Sequence, residues 1–332
     1  SNNIKYYYQI EFDSDGTETK KLAINTPSST SDDSFLKLFN WVFPEKLDIL
    51  AKIAPNLVSD PIVTSTYMKC WHLLISQVSE YQKKNSFFQQ HSPNAIILFT
   101  MISNVLTVYF QEVISNQENQ PDNIYRDKLK PMKNAMLLLS ESLGADYIMF
   151  GAFELYSDPT LVNLLTSFIN SIVGIPLNVI FQYPRLTIAF AKLIDALCKN
   201  HLMSIIEISL PFFDYLFQII IEGLSQIDEE VLSTFIQAGT NMGNYLQSNK
   251  TNPVIGESII RNQPPISQIV AMAFDLLFSS KYSEFKLFTL ISPFLTFLPD
   301  YLPNLMQAML PQVPQENVED YQAIFQELMR TV

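Results

Sequence analysis

Glycine is scarce in this chain, with 8 residues in 332. Phosphate-cradling loops and folds with many tight strand turns lean on glycine, so both are disfavoured. Cysteine is scarcer still: Cys70 and Cys198 are the whole complement. That excludes a disulfide framework and a thiolate zinc cluster, and it fits a reducing compartment. The three histidines, His72, His91 and His201, stand far apart. No His-Glu-x-x-His word and no Gly-x-Ser-x-Gly elbow occurs. Basic residues number 21 against 33 acids, giving a net charge of −12 and a pI near 4.7. Nucleic acid and anionic membranes both demand a basic face, so neither is the expected partner.

What the chain does have is hydrophobic side chain, 48% of its residues, set at helical spacing. After Asp158-Pro159, the residues Leu161, Leu164, Leu165, Phe168, Ile169 and Ile172 mark one wide helical face,. Asp158 caps its start, and Gly174 and Pro176 end it. A second helix starts near Tyr183-Pro184 and repeats the period. A third runs from Phe212 to Leu224, and a fourth begins at Asp228 and carries Gly239 and Gly243, four apart, where a neighbouring helix can approach closely,. Helix pairs recurring about every 40 to 47 residues are the pattern of HEAT-type arrays, in which each pair buries its apolar face on the next. The expected fold is all-α, a HEAT-like helical repeat solenoid of stacked antiparallel helix pairs.

The same spacing extends in both directions. The N-terminal alternation of Tyr6, Tyr8, Ile10 and Phe12 is strand-like and precedes a turn at Asp13–Gly16,. A Ser, Thr, Pro and Asp stretch then reads as a loop ending in a helix cap at Asp33 or Ser34. Residues 1–31 are therefore expected to form an extension or loop, with Ser1-Asn2-Asn3 looking like a tag remnant. Residues 32–332 are expected to form the solenoid, as part of a longer protein. Helices follow around Phe35–Val42, Leu47–Leu57, Tyr67–Val78 and Leu98–Val113. The polar stretch from Gln247 to Gln263 reads as a loop, and four further helical segments, around Ile269–Leu277, Leu287–Leu295, Leu302–Met309 and Val318–Met329, follow it. No charged residue lies between Asp158 and Arg185, long enough to cross a bilayer, but Gly174 and Pro176 break that run and no membrane span is expected,.

Three groups of residues invite a functional reading. Cys70, Trp71 and His72 are adjacent, but neighbours on a helix point about 100° apart and no second Cys/His pair completes a zinc site. A packed Cys and Trp beside a peripheral His is the expectation. Asp228, Glu229 and Glu230 stand at a helix start, where they either face a basic partner or simply answer the helix dipole. Arg126, Lys128, Lys130 and Lys133 form the densest basic cluster, either a contact for an acidic partner segment or a solvated helix start. No catalytic, cofactor or metal site is expected, and no cofactor. An enzyme is the weakest of the readings.

Several short words, in order, carry a resemblance. Phe39-Asn40-Trp41-Val42-Phe43-Pro44, Ser92-Pro93-Asn94-Ala95-Ile96-Ile97-Leu98-Phe99 and Phe150-Gly151-Ala152-Phe153-Glu154-Leu155-Tyr156-Ser157-Asp158 are followed by Tyr183-Pro184-Arg185-Leu186 and Ile221-Glu222-Gly223-Leu224. From about Leu22 onward the chain resembles the C-terminal part of an exportin of the importin-β (karyopherin) superfamily, of the exportin-7 type. These are packing and turn words; Ile4 to Lys21 has no counterpart. The resemblance implies a nuclear transport receptor that binds protein cargo with Ran-GTP and shuttles between nucleus and cytoplasm through pores lined with Phe-Gly nucleoporins. Much of the Ran contact in that superfamily lies in N-terminal repeats, so the resemblance implies Ran binding through the full-length protein. The competing expectation is a static helical scaffold without Ran dependence.

Overall fold

The computed structural model describes residues 7–12, 18–23, 30–85, 93–116, 123–278, 284–309 and 326. Strands β1 (Tyr7–Phe12) and β2 (Glu18–Ala23) pair antiparallel, with Tyr7 opposite Ala23 and Phe12 opposite Glu18. The alternation seen in the sequence is thus one arm of a hairpin. All other regular structure among the described residues is helical, and the chain divides into two compact units, Ser1–Ile175 and Pro176–Val332.

The first unit holds α1 (Thr30–Val42), α2 (Glu45–Lys52), α3 (Ala54–Leu57), α4 (Pro61–Asn85), α5 (Pro93–Ser115), a π-helical turn (Tyr125–Leu129), α6 (Lys130–Leu143), α7 (Gly151–Leu155) and α8 (Thr160–Val173). Helix α1 begins at Thr30, earlier than the cap expected at Asp33 or Ser34. Pro44 separates α1 from α2 because it cannot supply an N–H to a continuing helix,. Asp60 opens α4 by accepting the N–H groups of Ile62 and Val63 at 2.8 and 3.1 Å,.

Two rows of helices carry this unit: α4 stacks on α6, and α5 stacks on α8. Near the start of α6, Asn134 Nδ2 donates to the carbonyl of Ser65, near the start of α4, at 2.7 Å, so the two helices run in the same direction. Phe99 lies against Phe150 and Phe153, just ahead of α8, at 5.2 and 5.3 Å between ring centroids. Phe110 further along α5 meets Phe168 further along α8 at 5.6 Å. That pair is parallel too. Rows of parallel helices joined by returning partners are the repeat arrangement that the periodicity predicts.

By length and composition α5 is able to cross a membrane, as no other helix among the described residues is,. In this fold ten of its residues are buried, among them Leu98, Phe99, Ile102, Val105 and Phe110, with α2, α3 and α8 packed on it. The uncharged stretch after Asp158 is not one helix. It breaks at Gly174–Pro176 into α8 and a short α9.

The second unit comprises α9 (Leu177–Phe181), α10 (Pro184–Asn200), α11 (Leu202–Ile208), α12 (Leu210–Leu224), α13 (Glu229–Ser248), α14 (Pro253–Arg261), α15 (Gln263–Phe278), α16 (Glu284–Leu295) and α17 (Tyr301–Met309). One row runs α10, α13, α16; the other runs α12, α15. The interval from Pro184 to Glu229 matches the expected period, while that from Glu229 to Glu284 is longer. Parallel stacking follows from the register: Ser233, Gly239 and Gly243 on α13 meet Lys286, Leu290 and Pro293 on α16, in the same order. Helices α15 and α16 run oppositely, since Gln263 at the start of one donates to the Phe297 carbonyl just past the end of the other at 3.0 Å.

The glycines behave as the sequence suggests. A Cβ on Gly239 would stand 2.6 Å from Leu290 Cδ1, and one on Gly243 would stand 2.8 Å from Pro293 Cγ. Helix α13 therefore lies against α16 closer than any side chain there allows.

One expectation fails clearly. The stretch from Gln247 to Gln263 is not a loop, because it contains α14, capped by Asn252, whose Oδ1 accepts the Val254 N–H at 3.0 Å. Its polar residues are spent on Asp214 of α12, which accepts from Ser258 Oγ, Arg261 Nε and Asn262 Nδ2, each at 2.7 Å. The last expected helix, around Val318 to Met329, lies outside the described residues except for Gln326.

Candidate functional site

The acidic group sits where α13 begins. Asp228 is its cap: Oδ1 accepts the Val231 N–H at 3.0 Å, satisfying one of the donors that every helix start leaves open,. Glu229 and Glu230 occupy the first turn, where the helix dipole favours negative charge,. Glu230 also reaches Lys192 of α10, with Nζ and Oε1 3.0 Å apart and both side chains about half exposed, so this pair contributes little,. All three acids are exposed, and the preceding Ile227 is 95% exposed.

The basic group is less uniform than its spelling. Arg126 forks onto its neighbour Asp127, with Nε at 2.6 Å from Oδ1 and the second donor at 3.0 Å from Oδ2,. That hydrogen bond holds the Asp127 carboxyl below the usual carboxylate range. Lys128 Nζ donates to the Asn116 carbonyl at 3.2 Å, tying the π-helical turn to the end of α5. Lys133 is half-buried, and Lys130 is exposed. The cluster thus stays together along one short stretch, but its first two members are engaged within the chain.

Elsewhere the chemistry is that of a packed interior. Trp71 is buried, with Tyr67 edge-on to it at 6.4 Å. Cys70, expected to pack beside it, is exposed instead, and His72 is half-buried. Residues adjacent on a helix point apart, and the core side of α4 is taken by Tyr67, Met68, Trp71, Ile75 and Val78,. Burial pushes the Cys198 thiol far above its ordinary value, with Asp195 adding to the effect, so it is held as an unreactive thiol,. Burial likewise raises the Tyr67 hydroxyl to about 12 while it donates to the Leu50 carbonyl at 2.7 Å. Among the described residues no group of three His, Cys, Asp or Glu is placed to hold a metal ion.

A surface spread over successive helices, with no concentrated chemistry, is how helical arrays recognise other proteins. The chain has relatives among known proteins. The chain is 28% identical over 198 residues to exportin-7-B of Xenopus laevis, covering 60% of this chain and 18% of that protein. It is 27% identical over 224 residues to Ran-binding protein 17 of Mus musculus, covering 68% and 20%. With exportin-7 of Dictyostelium discoideum it shares 24% over 309 residues, covering 91% and 30%.

The chain is similar to proteins of the exportin-7 and Ran-binding protein type. No protein-family model matches it, and no solved structure does. The chain spans between 18% and 30% of the length of these curated relatives. Those relatives are named as exportins or Ran-binding proteins.

Proposed function

We propose that this chain is the C-terminal portion of an exportin, a nuclear transport receptor whose full-length form binds protein cargo together with Ran-GTP. In this reading the whole receptor passes between nucleus and cytoplasm through pores lined with Phe-Gly nucleoporins. Residues 32–332 contribute one stretch of its HEAT-like array, and residues 1–31 precede that array as an extension. The observation carrying the reading is the match to exportin-7 and to a protein named for Ran binding, laid over a chain of stacked helix pairs. The acidic balance supports protein partners over nucleic acid, because a phosphate backbone requires a cationic face,. Asp228, Glu229 and Glu230 offer a basic partner segment its contact. Arg126, Lys128, Lys130 and Lys133 offer an acidic one theirs, with Lys130 and Glu229 the most available members.

The deciding experiment compares binding of the full-length parent to Ran loaded with GTP and with GDP. A strong preference for the GTP form is expected. Equal binding, or none, would overturn the transport reading in favour of a static scaffold. Charge reversal at Glu229 and Glu230, or at Lys130 and Lys133, separately tests the two clusters at low salt, where such contacts are strongest.

A further inference from the structure

Most of the exposed apolar residues in this protein are solitary, as on any protein surface,. One pair is not. Leu155 and Tyr156, adjacent at the end of α7, are 76% and 78% exposed. Their backbone is fixed by a dense set of hydrogen bonds: Tyr156 N–H to the Ala152 carbonyl at 3.0 Å, Ser157 N–H to that of Glu154 at 3.0 Å, and Asp158 N–H to that of Phe153 at 2.8 Å. Ser157 adopts a φ of 52°, the left-handed conformation that a non-glycine residue takes at a cost, and it reverses the chain there,. Beneath the pair, Phe153 is buried against Phe99, and on the far side Asp158 Oδ1 accepts from the Thr160 N–H at 2.9 Å. The two side chains are thus presented on a backbone anchored from both ends.

We infer that the Leu155–Tyr156 turn is a docking knob for a partner segment that carries lysine or arginine among aliphatic side chains. Two large side chains held in place before binding lose little entropy on contact, and tyrosine combines apolar area with a hydroxyl that bonds at a wet rim. The charge of the partner follows from the surroundings. Glu154 is exposed immediately beside the pair and Asp158 is half-buried after it. No lysine, arginine or histidine occurs anywhere between Lys133 and Arg185. Within that stretch of chain a basic segment meets only favourable charge, while an acidic one is repelled. The inference is independent of transport: a chain that ignores Ran still carries the turn.

The test selects a random-peptide phage library on the immobilised full chain and sorts the winners by composition. Enriched peptides pairing Lys or Arg with Leu, Ile or Val are expected. Their affinity, measured by fluorescence anisotropy, is expected to fall about tenfold in Leu155→Ser and in Tyr156→Ser, the scale of a hot-spot truncation. Glu154→Lys is expected to weaken binding further and to reduce its salt dependence. Both apolar residues point to solvent, so an unchanged thermal midpoint verifies the fold of each variant. Failure to enrich any peptide, acidic winners, or binding indifferent to both substitutions overturns the inference. So does a self-association of the chain that either substitution abolishes, because it would seat a second copy on the turn.

Discussion

The two units stack helices of the same kind by different means. In the first, α4, α5, α6 and α8 contain no glycine at all, and their rows are joined by aromatic pairs and by one buried polar tie, Asn134 to Ser65. In the second, α13 sits against α16 and α12 through glycine, while its seam with α10 has none. Gly239 and Gly243 admit α16, and Gly223 on α12 admits the Phe235 ring of α13, whose atoms would stand only 2.2 Å from a Cβ. Large side chains fill a wide seam, and absent side chains allow a narrow one. Both solutions bury the apolar face of each helix pair, which is what a repeat array requires. They differ in which substitutions they tolerate.

That difference is open to attack. The largest effect is expected for Phe110→Ala, which empties a fully buried ring position between α5 and α8 and should cost about 4 kcal/mol in urea unfolding,. Gly223→Val should cost about 3 kcal/mol for the opposite reason, since it forces two methyls into a buried ring. Among the other glycines, Gly243→Ala should cost more than Gly239→Ala. The first meets a proline ring within α16, whereas the second meets the flexible end of Leu290 and recovers about 1 kcal/mol of helix propensity,. If Gly223→Val were neutral, the narrow seam would not be holding the second unit. In the first unit, Asn134→Ala should lose about 2 kcal/mol, because it strips a buried amide bond from the α4–α6 seam,.

Asp214→Ala probes a part of the second unit that depends on polar contacts. Three donors converge on that carboxylate, and one of them, Ser258, is fully buried. The expected cost is about 1 to 2 kcal/mol, most of it from leaving Ser258 and Asn262 unpaired, since Arg261 is half exposed and its ion pair is screened,. Hydrogen exchange should show the loss first in α14.

The same residues explain what the sequence could and could not disclose. Helical period, the cap at Asp228 and the close approach at Gly239 and Gly243 are local or pairwise signals, and each appears in the structure as read; at α8 the cap position falls to Pro159, with Asp158 one residue ahead of it accepting the Thr160 N–H. Helix α14 was hidden because its polarity looks like a loop until Asp214, more than forty positions earlier, supplies the partner. Short helices α9 and α11 have too few residues to show a period. The basic cluster contained its own explanation, Asp127 beside Arg126. The pairing of Glu230 with Lys192 joins separate helices and needed the fold. Nothing in composition distinguishes Leu155 and Tyr156 from core residues; their exposure at the end of α7 is a fact of the fold.

The smallest effect expected is the most specific to the seam between α10 and α13. Asp195 lies partly buried there and accepts from Asn241 Nδ2 at 3.0 Å. Burial raises its pKa above the ordinary carboxylate value, and the charge of Lys199 and the Asn241 bond only partly counter this,. With a folded value above the unfolded one, the native state binds more protons than the unfolded state in the interval between them. Stability from this group is therefore fully present below the ordinary carboxylate range and is lost as pH rises through the raised value. Asp195→Asn keeps an oxygen for Asn241 and cannot ionise. Relative to the wild type it should gain stability between about pH 4 and pH 7, the window above an unperturbed carboxylate. Paired urea midpoints at those two values measure the gain. An unchanging difference would mean that the seam is solvated at Asp195, and that the narrow packing that the α13 glycines allow against α16 does not extend to the α10 side of the row.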